Sequence, residues 1–347
     1  MAFTGPTIGA TPTEPTMTGD GTVLSLAVLA LSAVIAHRPH GRPSPGQSEG
    51  PKRIEGTWAM DFKDDAQLDS SQVESRGGGG RIPGGGLAIG GGAAGIVALI
   101  VALIFGINPG DITGGSAQPA PVGPSSDLTA QCRTGQDADQ NEECRVVGVV
   151  NSIQDYWPKA VQGYEPAKTV MFSGQVNTAC GAADSSVGPF YCPADRQVYL
   201  DLSFFKELES KFGAKGGPFA QAYVIGHEYG HHVQNLLGTN AKAQEGPQQG
   251  PESGSVRLEL QADCYSGAWA KNAYETGLFE KPFTKTDIEE ALSAASAVGD
   301  DSIQERTQGR VNPEGFTHGT SAQRVKWFTT GYESGDPGRC DTFAGSI

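Results

Sequence analysis

His227, Glu228 and His231 stand in the run Val-Ile-Gly-His-Glu-Tyr-Gly-His, two histidines four residues apart with a glutamate directly after the first. If the run is helical, four residues advance it by about 400°, so both imidazoles share a face one turn apart and can close on a single divalent ion. Glu228 then sits about 100° round the axis, beside the ion, where a carboxylate can take a proton from an activated water and later hand it to a leaving amine. The neighbours Val224, Ile225, Gly226 and Tyr229 suit a buried helix better than a solvated one, and burying these polar groups without a partner would be costly. The chemistry indicated is hydrolysis by a metal-activated water.

A catalytic zinc takes three protein ligands and keeps one position open. A further histidine in the register His-x-x-Gly-x-x-His is excluded, because Gln234 and Leu237 hold those places. The run Glu259-Leu-Gln-Ala-Asp263, beginning 28 residues after His231, sets two carboxylates one turn apart. The pair resembles the gluzincin arrangement, in which the glutamate is the third ligand and the aspartate accepts the ring N–H of a ligand histidine. By that resemblance Glu259 joins His227 and His231 on Zn2+ and Asp263 orients His227; Asp263 on the metal is the alternative. His232, turned about 100° from the metal face, reads as a packing or surface histidine. His318, in the loop Phe316-Thr-His-Gly-Thr-Ser321, is the first candidate to stabilise negative charge on a reacting oxygen, with Tyr332 and Arg324 next. A plain helix cap is the competing role for His318.

The elements that must carry these residues are mostly helical. Apolar spacing predicts helices over Val146 to Trp157, ended or kinked by Pro158, and over Phe204 to Phe212, Phe219 to Leu237, Val256 to Tyr274, Asp287 to Val298 and Ser321 to Tyr332. Thr286 and Glu289 are spaced as a capping box. Lys168 to Phe172 and Gln197 to Asp201 read as short strands, the second as an edge strand able to line up a substrate backbone. Residues 239 to 255, polar and rich in Pro and Gly, read as a mobile surface loop. The fold class expected is a helix-rich α+β, zincin-like domain over residues 128–347.

The 347-residue chain has 39 acidic and 25 basic side chains, a net charge of −14 and no basic run, which argues against a nucleic-acid partner. Leu87 to Ile107 is 21 residues without a charge, long enough for one transmembrane helix. Arg76 and Arg81 precede it and no Lys or Arg comes closely after it, so the positive-inside bias makes residues 60–86 cytoplasmic and the domain extracytoplasmic, joined by the linker 108–127. The 14-residue apolar run Val23 to Ala36 is too short for a clear span, and residues 1–59 are expected to be disordered. All six cysteines lie after the apolar run, as disulfides outside the cytoplasm would. Two pairs share a C-x11-C spacing, which suggests Cys132 with Cys144, Cys180 with Cys192 and Cys264 with Cys340.

The strings HEYGHHVQNLLG, LELQADCYSGAWA, EEALSAASAVGDDSIQ and GFTHGTSAQRVKWFTTGYESGDPGRCDTF, with MDFKDDAQLDSS ahead of the apolar run, resemble the putative neutral zinc metallopeptidase family of bacterial membrane-anchored proteins. The likeness begins near Met60. It implies a plasma-membrane zinc metallopeptidase acting on a peptide or protein, with the zinc helix at His227, Glu228 and His231 and the third ligand at Glu259. Two other functions share these residues: a membrane-tethered binding module with structural zinc, and an amidase acting on a cell-wall amide.

Overall fold

The computed structural model describes residues 60–76 and 127–347, all within one compact unit, Glu55–Ile347. The apolar run 87–107, the linker up to residue 126 and the N-terminal residues 1–59 lie outside the described residues, and with them the expected span and disordered extension. Among the described residues no helix is long and apolar enough to cross a membrane.

In chain order the described part begins with strand β1 (Val73–Arg76) and continues through α1 (Leu128–Gln131), α2 (Gly135–Gln140) and α3 (Glu142–Ala160). Strands β2 (Lys168–Phe172), β3 (Gln175–Thr178), β4 (Gly181–Asp184), β5 (Phe190–Cys192) and β6 (Gln197–Asp201) come next. The remainder is helical: α4 (Ser203–Ser210), α5 (Pro218–Leu237), α6 (Thr239–Ala243), α7 (Gly254–Asn272), α8 (Lys285–Ala297), α9 (Asp300–Gln308) and α10 (Ser321–Ser334). The helix-rich α+β class is as the sequence indicates. Both strands read from the sequence appear with the same ends, and the helices start or stop within a few residues of their apolar patterns.

The four-stranded sheet has the order β1-β2-β6-β5, with β1, β2 and β6 parallel and β5 antiparallel to β6. Strand β6 is therefore interior, and the sheet edge beyond it is β5, which corrects its expected place as the edge strand. Residues 60–76, read as part of a separate cytoplasmic segment, are built into the domain. Val73 pairs with Thr169 in the sheet, Phe62 is buried against Phe279 with ring centroids 4.7 Å apart, and Asn151 exchanges two hydrogen bonds with the Asp69 backbone. A four-residue strand with a single apolar residue has no pattern of its own to read; its neighbour supplies the ladder.

Three smaller expectations are also corrected. The capping box of α8 is Thr284 with Asp287, each side chain bonding the other's backbone N–H, two residues ahead of Thr286. Helix α3 runs on past Pro158 only to Ala160, the proline's missing N–H removing one i→i−4 bond, to Gln154 C=O, near the helix end. Residues 239–255 carry α6 and are fastened to the body, Gly250 N–H donating to Phe316 C=O at 2.9 Å and Ser255 Oγ to Gln248 C=O at 2.7 Å.

The helices that hold the candidate site meet at glycines. A Cβ on Gly230 of α5 would stand 2.9 Å from Ala262 Cα of α7, and one on Gly331 of α10 would stand 1.9 Å from Cys264 C=O of α7. Glycine at these points lets the three helices approach closely enough for short polar side chains to bridge them. The disulfides pair Cys132 with Cys144, Cys180 with Cys192 and Cys264 with Cys340. The last closes the longest loop, 76 residues, and so removes the most freedom from the unfolded chain, about 4.5 kcal/mol on a chain-entropy argument.

Candidate metal centre

Helix α5 presents His227 and His231 toward Glu259 of α7, and the three side chains converge. Nε2 of His227 lies 3.1 Å from Nε2 of His231, Glu259 Oε2 is 3.2 Å from the first and Glu259 Oε1 is 3.3 Å from the second. A tetrahedral zinc with bonds of about 2.0 Å separates its ligand atoms by about 3.3 Å, so the spacing fits. All three residues are buried, and Glu259 Oε1 has no hydrogen-bond partner. Such an orphaned carboxylate oxygen beside two ring nitrogens is the donor set a borderline-soft dication satisfies.

The partners of the two rings sharpen this fit. Nδ1 of His227 is 2.9 Å from Asp263 Oδ1, and Nδ1 of His231 is 2.8 Å from Gln234 Oε1. Carboxylate and amide oxygens only accept, so each ring carries its proton on Nδ1 and turns a bare Nε2 lone pair toward Glu259. Two lone pairs and a carboxylate then face one another across little more than 3 Å, an arrangement that needs positive charge between them. Burial opposes protonation of His227, yet the Asp263 and Glu259 carboxylates outweigh it and raise its pKa, so without an ion a second proton is drawn to Nε2, the position an ion would take. Glu259 is held well below the usual carboxylate range, burial being outweighed by His318 and the two ring neighbours.

Asp263 has no exposed surface and is held by two side chains besides the His227 ring. Tyr223 OH donates to its Oδ1 at 2.6 Å, and Arg324 donates from Nη2 to Oδ1 at 2.9 Å and from Nε to Oδ2 at 2.8 Å. This forked pair keeps the Asp263 carboxyl below its ordinary pKa despite complete burial. Asp263 thus faces the ring of His227, where the sequence places it. Arg324, a candidate for stabilising a reacting oxygen, makes its two short hydrogen bonds to Asp263, and its Nη2 also lies 3.3 Å from His227 Nδ1 and 3.8 Å from Glu259 Oε2. Tyr332 is not brought to the site: it lies two turns further along α10, its ring stacked on Phe328 and under Lys271 Nζ. Arg324 and Tyr332 stand on one helix, and their separation of eight residues carries Tyr332 away from the site.

Glu228 is buried next to the triad, and burial pushes its carboxyl up while the charges of His227 and His231 pull it down. It is one of the groups that could move a proton there. His318 is buried as well. Its Nδ1 faces Asp300 Oδ1 at 3.2 Å, and the Glu259 and Asp300 charges outweigh burial to raise its pKa. Asp300, the first residue of α9, also accepts the backbone N–H groups of Thr317, His318 and Gly319 through Oδ2, at 2.7, 2.7 and 3.0 Å. One carboxylate therefore fixes both the loop and the ring, leaving Nε2 of His318 as the atom it can offer. His232 is a buried packing residue whose Nε2 donates to Glu165 C=O at 2.6 Å and whose Nδ1 accepts from Tyr191 OH at 3.1 Å.

Asp300 and Gln234 were not singled out from the sequence as partners of the site histidines. Two acids opening α9 after Gly299 are a helix-start signal that could have marked Asp300, but α9 has one apolar residue among nine and so no periodicity to reveal it. Gln234 lies three residues after His231, a spacing at which side chains on one helix meet.

Residues 59–343 match a family described as putative neutral zinc metallopeptidase. The uncharacterized protein Rv2575 of Mycobacterium tuberculosis is 52% identical over 253 residues, covering 70% of this chain and 85% of that one. The uncharacterized protein YpfJ of Escherichia coli is 42% identical over 292 residues, 80% of this chain and 98% of its own. No solved structure matches the chain.

Proposed function

The chain belongs to the putative neutral zinc metallopeptidase family, and on that premise we propose that it is a zinc-dependent peptidase with His227, His231 and Glu259 as the metal ligands. The observation that carries the proposal is the buried convergence of these three side chains around an unpartnered carboxylate oxygen. Zinc, when bound, supplies Lewis acidity that polarises a carbonyl and brings a water's pKa toward neutrality. Glu228 is the proton carrier: a buried carboxylate on the same helix, beside the face of the two histidines, takes the proton of the attacking water and returns it to the departing nitrogen. His318, held by Asp300, donates from Nε2 to the oxygen on which negative charge develops. Asp263 and Gln234 keep the ligand rings turned toward the ion.

Metal analysis of the full chain in detergent tests the ligand set. The wild type is expected to carry about one zinc per chain and to cleave an unfolded protein substrate, with a chelator abolishing cleavage. Glu259→Ala is expected to lose the zinc and the cleavage together while keeping its circular dichroism spectrum. Full zinc occupancy in Glu259→Ala would remove Glu259 from the ligand set and end the proposal as stated.

We also propose that the protein is attached to a membrane through the apolar run 87–107, with its domain outside the cytoplasm; three disulfides support the compartment. Residues 60–76 and 127–347 share one core, so they belong to one side of that membrane, and a single crossing with residues 60–86 in the cytoplasm does not go with that packing. In intact cells, cysteines introduced as Glu74→Cys and Glu333→Cys, both at exposed positions, are expected to react alike with a membrane-impermeant maleimide. Labelling of the second alone would restore the single crossing.

A further inference from the structure

The two ligand histidines are oriented by different chemistry. His227 faces a carboxylate, whereas His231 faces the side-chain amide of Gln234, which is completely buried. An amide can present either its oxygen or its NH2 to a ring nitrogen, so the protonation of His231 depends on which way Gln234 points. Its surroundings decide this. Gln234 Nε2 is 2.7 Å from the backbone carbonyl of Leu258 and 3.2 Å from Oε1 of Gln261. Gln261 is oriented in turn, because its own Nε2 donates to the carbonyl of Cys340 at 2.8 Å. Backbone carbonyls accept and never donate, so neither amide can be reversed without setting two acceptors face to face. Cys340 is itself pinned to α7 by its disulfide to Cys264, the residue after Asp263.

We infer that Gln234 is a positioning residue for the metal site: held by Leu258, Gln261 and Cys340, it keeps the ring proton of His231 on Nδ1 and so leaves Nε2 free for the ion. The inference rests on His231 being a metal ligand. Gln261 and the carbonyl of Cys340 extend the relay to the C-terminal end of the fold, 109 residues along the chain from His231.

The test is the zinc affinity of the full chain in detergent, measured by competition with a chromophoric chelator. Gln234→Leu, similar in size but without an acceptor, is expected to bind zinc about 10- to 100-fold more weakly, the usual effect of removing a group that orients a ligand. Gln234→Glu restores affinity to within about fivefold of wild type, because one oxygen still accepts from Nδ1 and the other, protonated, still donates to Leu258. Gln261→Leu, one step removed, falls between the two. In the zinc-loaded wild type, nitrogen NMR is expected to show a slowly exchanging proton on His231 Nδ1. This last measurement needs no variant and decides the matter even should Gln234→Leu not fold. Wild-type affinity in Gln234→Leu, or a His231 Nδ1 without that proton, overturns the inference while leaving the ligand set standing. Zinc affinity unchanged in His231→Ala would instead overturn the ligand set.

Discussion

Replacing Glu228 by glutamine is expected to leave the zinc content of the protein unchanged and to lower peptide hydrolysis about 100- to 10,000-fold, the range over which a positioned proton carrier contributes. The amide has nearly the volume of the carboxylate and is neutral, so the buried pocket on α5 keeps its packing. What disappears is the basicity needed to accept a proton. Glu228 is set apart from the three converging ligand atoms, so its loss spares the metal, unlike loss of Glu259. Peptide turnover against an unfolded substrate, with metal content measured on the same preparations, separates the two kinds of site: a structural zinc in a binding module predicts no functional loss in Glu228→Gln. Hydrolysis within tenfold of wild type would mean that another group carries the proton.

The largest effect on stability is expected at Arg324. Arg324→Met takes away both forked hydrogen bonds and the countercharge of Asp263, which has no exposed surface and keeps only Tyr223 and His227. Breaking a buried pair from one side leaves a charge that water cannot reach, at a cost of about 3–5 kcal/mol. Urea unfolding of the zinc-free protein measures this without a contribution from lost metal. Arg324→Lys is expected to recover part of it, since an ammonium restores charge but not the two-pronged geometry. Adding Asp263→Asn to Arg324→Met should cost less than the sum of the two single changes, because the second substitution removes the charge that the first stranded. A loss below about 1 kcal/mol for Arg324→Met would show that Asp263 does not need its partner.

The sequence alone determined whatever depends on spacing within one element. The period of the helix aligns His227 with His231 and Glu259 with Asp263, and the β-prone composition of two short runs gives β2 and β6. Matched cysteine spacings anticipated two of the three disulfides, and the third pair was then what remained. These are relations over a few residues, set by backbone geometry before any packing occurs.

Tertiary structure decided what lies between elements. Val73–Arg76 becomes a strand only because β2 offers it a ladder, and β6 becomes interior because β5 turns back along it. Arg324, 61 residues after Asp263, meets it because glycines let α7 and α10 approach closely, and Asp300 meets His318 because α9 begins beside the loop before α10. Gln234 lies in plain view of His231 on the same helix, yet the direction of its amide is set by Leu258, Gln261 and Cys340. The periodicity of a chain says which residues share a face. Which groups on opposed faces come within 3 Å depends on how the faces are brought together, and that is settled by loop closure, close helix contact and the exclusion of water from the resulting core.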